Sequence, residues 1–230
     1  MVSTSVQRWR LTFRRAVADP SQTHQALAAD WASRLAATGL PFAGANPDQS
    51  TGPPRLTFAA PLPVGMAAER ELVDLELSER RRIGEVRDAV AGALPPAIEL
   101  VDLHDVWIGE PSLAGRARRA EYRVTVASDA PPAELKAACG RLLAASSVIR
   151  QREKGGRTVD FDLRPLVVDI RVGEPGPPVV LDVTTAFDPE RGVGRPEDVI
   201  AAVADLLPAG GTTVAVASVE RRRIVLAGED

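Results

Sequence analysis

The 230 residues carry 28 basic and 31 acidic side chains, a formal charge of −3, so no general coat for polyanions or membranes is expected. With 45% apolar and 26% charged residues the composition is globular rather than disordered, and no apolar run approaches the ~20 residues that span a bilayer. One cysteine, Cys139, excludes an internal disulfide and a cysteine-ligated cluster built from this chain alone.

A first strand is expected over Val6–Arg14, where Trp9, Leu11 and Phe13 alternate with Arg8, Arg10, Thr12 and Arg14. A helix follows over Ser21–Thr38, with Leu27, Trp31 and Leu35 at four-residue spacing, stopped by Gly39 and Pro41. Ala43–Pro54 is turn chemistry throughout and reads as a loop. Arg55–Ala60 and Glu71–Leu77 read as strands, Ile83–Leu94 as a helix ended by Pro95-Pro96, and Ile98–Ile108 as a strand. The order β-α-β-β-α-β is the ferredoxin-like plan.

Gly109–Arg119 lacks periodicity and reads as a linker, after which the pattern restarts. Strands are expected at Glu121–Ala127, Leu166–Val172, Val179–Phe187 and Thr213–Leu226, with helices at Pro131–Ala145 and Pro196–Leu207. Ser147–Glu153 and Arg157–Leu163 form a hairpin about Lys154-Gly155-Gly156. Setting that hairpin aside leaves β-α-β-β-α-β again. The expectation is therefore an α+β chain of two tandem ferredoxin-like halves, residues 1–112 and 118–230, the second carrying the inserted hairpin 147–163.

Motifs for common chemistry are missing. The sequence has no phosphate loop, no dinucleotide fingerprint, no zinc helix and no nucleophile elbow, so no cofactor and no metal are expected. His24, in the first turn of its helix, is the one candidate general acid–base; His104 reads as a surface strand residue and Cys139 as a buried, inert thiol.

Only Lys136 and Lys154 are lysines, leaving 26 arginines, an excess that tracks GC-rich codons and becomes evidence only where arginines converge. Two such places stand out. Arg8, Arg10 and Arg14 are expected to project from the open face of the first sheet, where RNA-binding modules of this topology hold their ligand. Against this, Trp9 and Phe13 point to the core, and Asp74 and Glu76 on the neighbouring strand would form a charge ladder with the arginines. The second cluster, Arg150, Arg152, Lys154 and Arg157, straddles the hairpin tip and could face phosphate or simply be solvated. Arg221, Arg222 and Arg223 divide between two faces of the last strand.

The stretch Arg55-Leu56-Thr57-Phe58-Ala59-Ala60-Pro61-Leu62-Pro63-Val64-Gly65, followed by Glu71 and Asp74-Leu75-Glu76-Leu77, resembles the signature of the radical-SAM-linked protein family of bacteria. Gly39-Leu40-Pro41, Asn46-Pro47, Ala120-Glu121-Tyr122, Lys154-Gly155, Asp162-Leu163-Arg164-Pro165 and Arg195-Pro196-Glu197 match in order. The resemblance implies an accessory role beside a radical S-adenosylmethionine enzyme of the cobalamin-binding type, with Asn46, Asp48, Arg55 and Arg164 added to the binding candidates. The family's S-H-L-D is here Thr23-His24-Gln25-Ala26, and its N-P-H-P is Asn46-Pro47-Asp48-Gln49. These losses favour binding over catalysis.

The leading expectation is thus a non-catalytic accessory or substrate-binding module for a radical SAM enzyme, with RNA as a candidate ligand. An RNA-processing enzyme using His24 and a purely structural interaction protein are the alternatives. Met1–Ser5 has no charged n-region or apolar h-region, so a cytoplasmic location is expected.

Overall fold

Strand β1, Gln7–Arg15, buries Trp9, Leu11 and Phe13 on one face, as its alternation requires. The computed structural model describes residues 5–16, 21–43, 54–174, 176–208 and 213–229, except the side chain of Lys154. Helix α1, His24–Ala36, starts at Thr23, whose hydroxyl accepts from the Ala26 amide at 3.1 Å. It lays Leu27, Trp31 and Leu35 on the sheet, and Trp31 meets Phe13 edge-on with ring centroids 5.1 Å apart. Strands β2 (Leu56–Phe58) and β3 (Ala67–Leu77), helix α2 (Ile83–Gly92) and strand β4 (Ile98–Val106) complete the layer. The sheet order is β4-β1-β3-β2, every pair antiparallel. The interleaved placement agrees with burial: β1 and β3, each with three buried apolar residues on the core face, take the inner positions.

A short helix, α3 (Leu113–Arg116), runs directly into strand β5 (Ala117–Ser128). Here the structure departs from the linker reading of 109–119. Ser112 caps α3 by accepting from the Gly115 amide, and Leu113 is fully buried, so a segment without periodicity is still pinned down. Strand β3 also reaches four residues further back than expected, because Ala68 and Glu71 are buried within it.

The chain forms two compact units, one of residues up to Ala117 with Leu226–Gly228, the other of Arg118–Val225 with the last two residues. The second contains β5, α4 (Pro132–Ala144), the hairpin β6 (Ile149–Lys154) and β7 (Arg157–Asp162), and a 3-10 turn at Arg164–Leu166. It continues with β8 (Val167–Val172), β9 (Val179–Asp188), β10 (Gly192–Val193), α5 (Pro196–Asp205) and β11 (Val214–Leu226). Its sheet order is β8-β9-β5-β11, with the two-residue β10 also on β9. Leaving out the hairpin and β10, both units number as 4-1-3-2. The protein is therefore of the α+β class. Among the described residues no helix is long and apolar enough to cross a membrane.

Hairpin β6–β7 is a sheet of its own. Gly155 and Gly156 have φ of +59° and +75°, the two left-handed residues of a type I′ turn.

Candidate functional site

In the first unit, register places Arg8 opposite Glu76 and Arg10 opposite Asp74, with Thr57 of β2 on the far side of Asp74. These side chains all point away from the helices. Arg10 donates to both carboxylate oxygens of Asp74, at 2.8 and 2.9 Å, and both side chains are nearly inaccessible. Arg8 donates to Glu76 at 3.0 Å and to the carbonyl of Glu110 at 3.0 Å. The Glu110 carboxylate lies 3.6 Å from Arg10 and pairs with Arg116, so the segment before β5 folds over this face and closes it. The open, RNA-facing surface expected for Arg8, Arg10 and Arg14 is not what forms. The charge ladder neutralises the first two, and Arg14 pairs with Glu99 of β4 at the surface.

Between ladder and α3 remains a cavity of about 190 Å³ lined by Arg8, Arg55, Thr57, Asp74, Glu76, Ser112 and Leu113. Four of these, Arg55, Thr57, Asp74 and Glu76, belong to the stretch that carried the resemblance. Arg55 is exposed and makes no ion pair with a described residue.

In the second unit, cross-strand pairs sort the hairpin into two faces. Arg150, Arg152, Arg157, Val159 and Phe161 share one; Gln151, Glu153, Thr158, Asp160 and Asp162 share the other. Arg150 pairs with Asp205 and Arg152 with Asp198, each at 2.5 Å, fastening the basic face to α5. The Arg152 guanidinium also sits 4.4 Å from the Phe161 ring centroid, a cation–π contact. The basic cluster, read from the sequence as facing either phosphate or solvent, is in this way half neutralised by two aspartates. The sequence reading missed Asp198, Asp205 and Phe161, although strict alternation over 157–162 was the signal for the last.

Beside β7 lies a slot of about 560 Å³, with Val159–Asp162 on one wall and Glu190–Gly192 and Arg195 on the other. Gly194 fixes that second wall. A Cβ there would lie 2.7 Å from the Leu166 carbonyl oxygen and 2.7 Å from Thr185 Cβ. Gly194→Ala is expected to cost about 1–3 kcal/mol by overpacking, read as a lower urea midpoint. Gly140→Ala, within α4 and with nothing within 4 Å, should instead stabilise by about 0.4–1 kcal/mol.

The remaining candidates fall elsewhere. Arg164 is a brace, with Nε and Nη2 donating to the Leu143 carbonyl and Nη1 to that of Val167, so its guanidinium is held inside the fold. Amides of Val148 and Arg164 donate to Asp162 and hold its carboxyl below the ordinary range. Arg157 is exposed at the hairpin tip without an ion pair to a described residue. Asn46, Asp48 and the Lys154 side chain lie outside the described residues.

His24 packs edge-on against Phe58, centroids 4.7 Å apart, on the helix side of the first sheet and therefore opposite the ladder cavity. His104 is half exposed beside Asp102. Cys139 is buried against β8, which pushes its thiol up to about 11, so it is protonated and unreactive at neutral pH. Arg221 is buried, whereas Arg223 donates twice to Glu121 and holds that carboxyl down. No cluster of three or more His, Cys, Asp or Glu is placed to hold a metal among the described residues.

Residues 51–196 match the family described as an uncharacterised protein conserved in bacteria (DUF2344). The chain belongs to that family. The matched segment contains Arg55, Thr57, Asp74, Glu76 and the slot from Arg152 to Arg195, while Arg8 and Arg10 lie outside it. No curated protein matches the sequence.

Among solved structures this family member is similar to a chain of a Cbf5-Nop10-Gar1 complex, at TM-score 0.49 and 13% identity, covering 93% of this chain and 49% of the other. It is also similar to chains of the archaeal box H/ACA sRNP Nop10-Cbf5 complex (TM-score 0.43) and of an H/ACA RNP bound to a substrate RNA containing 2′-deoxyuridine (0.47). Both are 13% identical, with 93% of this chain and 47% of the other covered. The chain spans about half the length of these matched chains.

Proposed function

We propose that the chain is a non-catalytic binding module of two ferredoxin-like halves that works with a radical SAM enzyme. The repeated 4-1-3-2 order supports the two halves, and the sequence resemblance supports the partner. The observation that carries the binding role is the ladder cavity. The four polar side chains of the resemblance stretch converge there, and of its arginines Arg55 is the one left to meet a ligand. In this reading the Arg10–Asp74 pair holds the cavity wall rigid, and Arg55 with Thr57 contacts the bound group.

The test is a pull-down from host lysate, with and without nuclease. A radical SAM enzyme should survive nuclease on the wild-type chain, and Arg55→Glu should reduce its recovery by about tenfold or more. Equal recovery by both chains would remove the cavity from the reading.

RNA is the second reading, favoured by Arg157 and Arg195, which are exposed and lack an ion pair to a described residue. RNA retained in the absence of the enzyme would replace the first reading with this one.

A further inference from the structure

We propose that the unpaired edge of β7 is a strand-addition site that takes an extended segment of a partner protein alternating basic and apolar residues. The site is separate from the ladder cavity and stands whether or not that cavity binds.

The backbone sets the geometry. In a two-residue type I′ hairpin the closing residues, here 154 and 157, form a hydrogen-bonded pair. Bonded and non-bonded pairs then alternate, and the Leu163 amide donating to the Val148 carbonyl at 2.8 Å keeps the same phase at the other end. Arg152–Val159 and Arg150–Phe161 are therefore bonded pairs. Thr158, Asp160 and Asp162 turn their N–H and C=O groups away from β6, and β7 pairs with no other strand among the described residues. Such a row of donors and acceptors is the template for β-augmentation.

That edge does not simply face solvent. Four consecutive residues, Val159–Asp162, line the slot, with Glu190–Gly192 and Arg195 across from them. Arg152 and Glu153 of β6 line the slot as well, so it reaches across the hairpin, and the β7 wall contributes residues of both its faces. At ~3.3 Å per residue the wall is ~13 Å long, room for about four extended residues.

Chemistry then chooses the occupant. An added strand projects its side chains alternately to the two faces of the hairpin. One face offers Val159 and Phe161, and the other Glu153, Asp160 and Asp162. Apolar residues suit the first and lysine or arginine the second. A phosphate backbone fits poorly, since the lining carries Glu153, Asp160, Asp162 and Glu190 against three arginines, two of which are tied to Asp198 and Asp188.

The experiment measures binding of the full chain to the peptide acetyl-Lys-Val-Lys-Val-Lys-Val-amide and to its Glu-Val counterpart by fluorescence anisotropy. The basic peptide should bind about tenfold or more tighter, and N-methylation of its alternate amides should abolish binding. Asp160→Pro removes an outward N–H and the exposed hydrogen bond that the Asp160 carboxylate accepts from Gln151, so it should lose the peptide with a urea midpoint close to that of the wild type. If that variant fails to fold, Asp160→Lys, which keeps the backbone groups, should shift preference toward the acidic peptide. Equal binding of both peptides, or full binding by a folded Asp160→Pro, would overturn the proposal. So would displacement of the basic peptide by oligouridine, or a wild-type dimer that Asp160→Pro abolishes, which would give the edge to a second copy.

Discussion

Asp74→Ala should lower the unfolding free energy by about 3–5 kcal/mol, the usual cost of stranding one member of a buried ion pair. Arg10 is held by two hydrogen bonds to that carboxylate, and its side chain is only 6% exposed. Glu110 lies 3.6 Å from Arg10 on the covering segment, but its carboxylate already serves Arg116. The guanidinium would stay buried with its best partner gone. The double change Arg10→Met with Asp74→Leu should instead lie within about 1–2 kcal/mol of the wild type, because both desolvation penalties disappear together. Urea denaturation of the three chains checks both statements. A single variant as stable as the double would mean that the ladder is not what holds this face.

Trp31→Ala should cost about 3–5 kcal/mol for a different reason, the void it leaves. The indole is fully buried and meets Phe13 at 5.1 Å and Phe58 at 6.0 Å, so three rings share one volume. Its Nε1 is buried and has no hydrogen-bond partner among the described residues. Trp31→Phe therefore removes an orphaned donor along with part of the ring and should cost much less than alanine. Thermal unfolding that ranks wild type, phenylalanine and alanine in that order would confirm a packing role. Phenylalanine as damaging as alanine would show that the indole N–H has a partner after all.

Periodicity alone located most elements, because the buried stripes are regular: Trp9, Leu11 and Phe13 on β1, and Leu27, Trp31 and Leu35 on α1. What stayed hidden lacked a pattern of its own. Segment 109–116 is ordered by Leu113, the capping Ser112 and the ion pairs of Glu110, none of which makes a periodic pattern, and β10 is two residues long with Gly192 at φ +96°. The site was legible in kind but not in detail. Alternation put Arg8 and Arg10 on one face beside Asp74 and Glu76, but not the return of Glu110 that covers them. Arg164 showed the limit most plainly. An arginine before a proline looks the same in sequence whether it reaches for a ligand or, as here, for the carbonyls of Leu143 and Val167.

The central place of β1 bears on synthesis as well as on the finished fold. Its two neighbours are β3 and β4, so neither edge can be covered until residues 67–77 and then 98–106 have been made. At roughly 5–20 residues per second, about 5–20 s pass with an apolar strand lacking its partners. Exposed edges of that kind seed association between nascent chains. Arg8, Arg10, Arg14 and Arg15 give this strand a positive charge during that interval, and like charges on neighbouring copies repel. The acidic residues that later balance the ladder, Asp74 and Glu76, arrive with the strand that ends the exposure on one side.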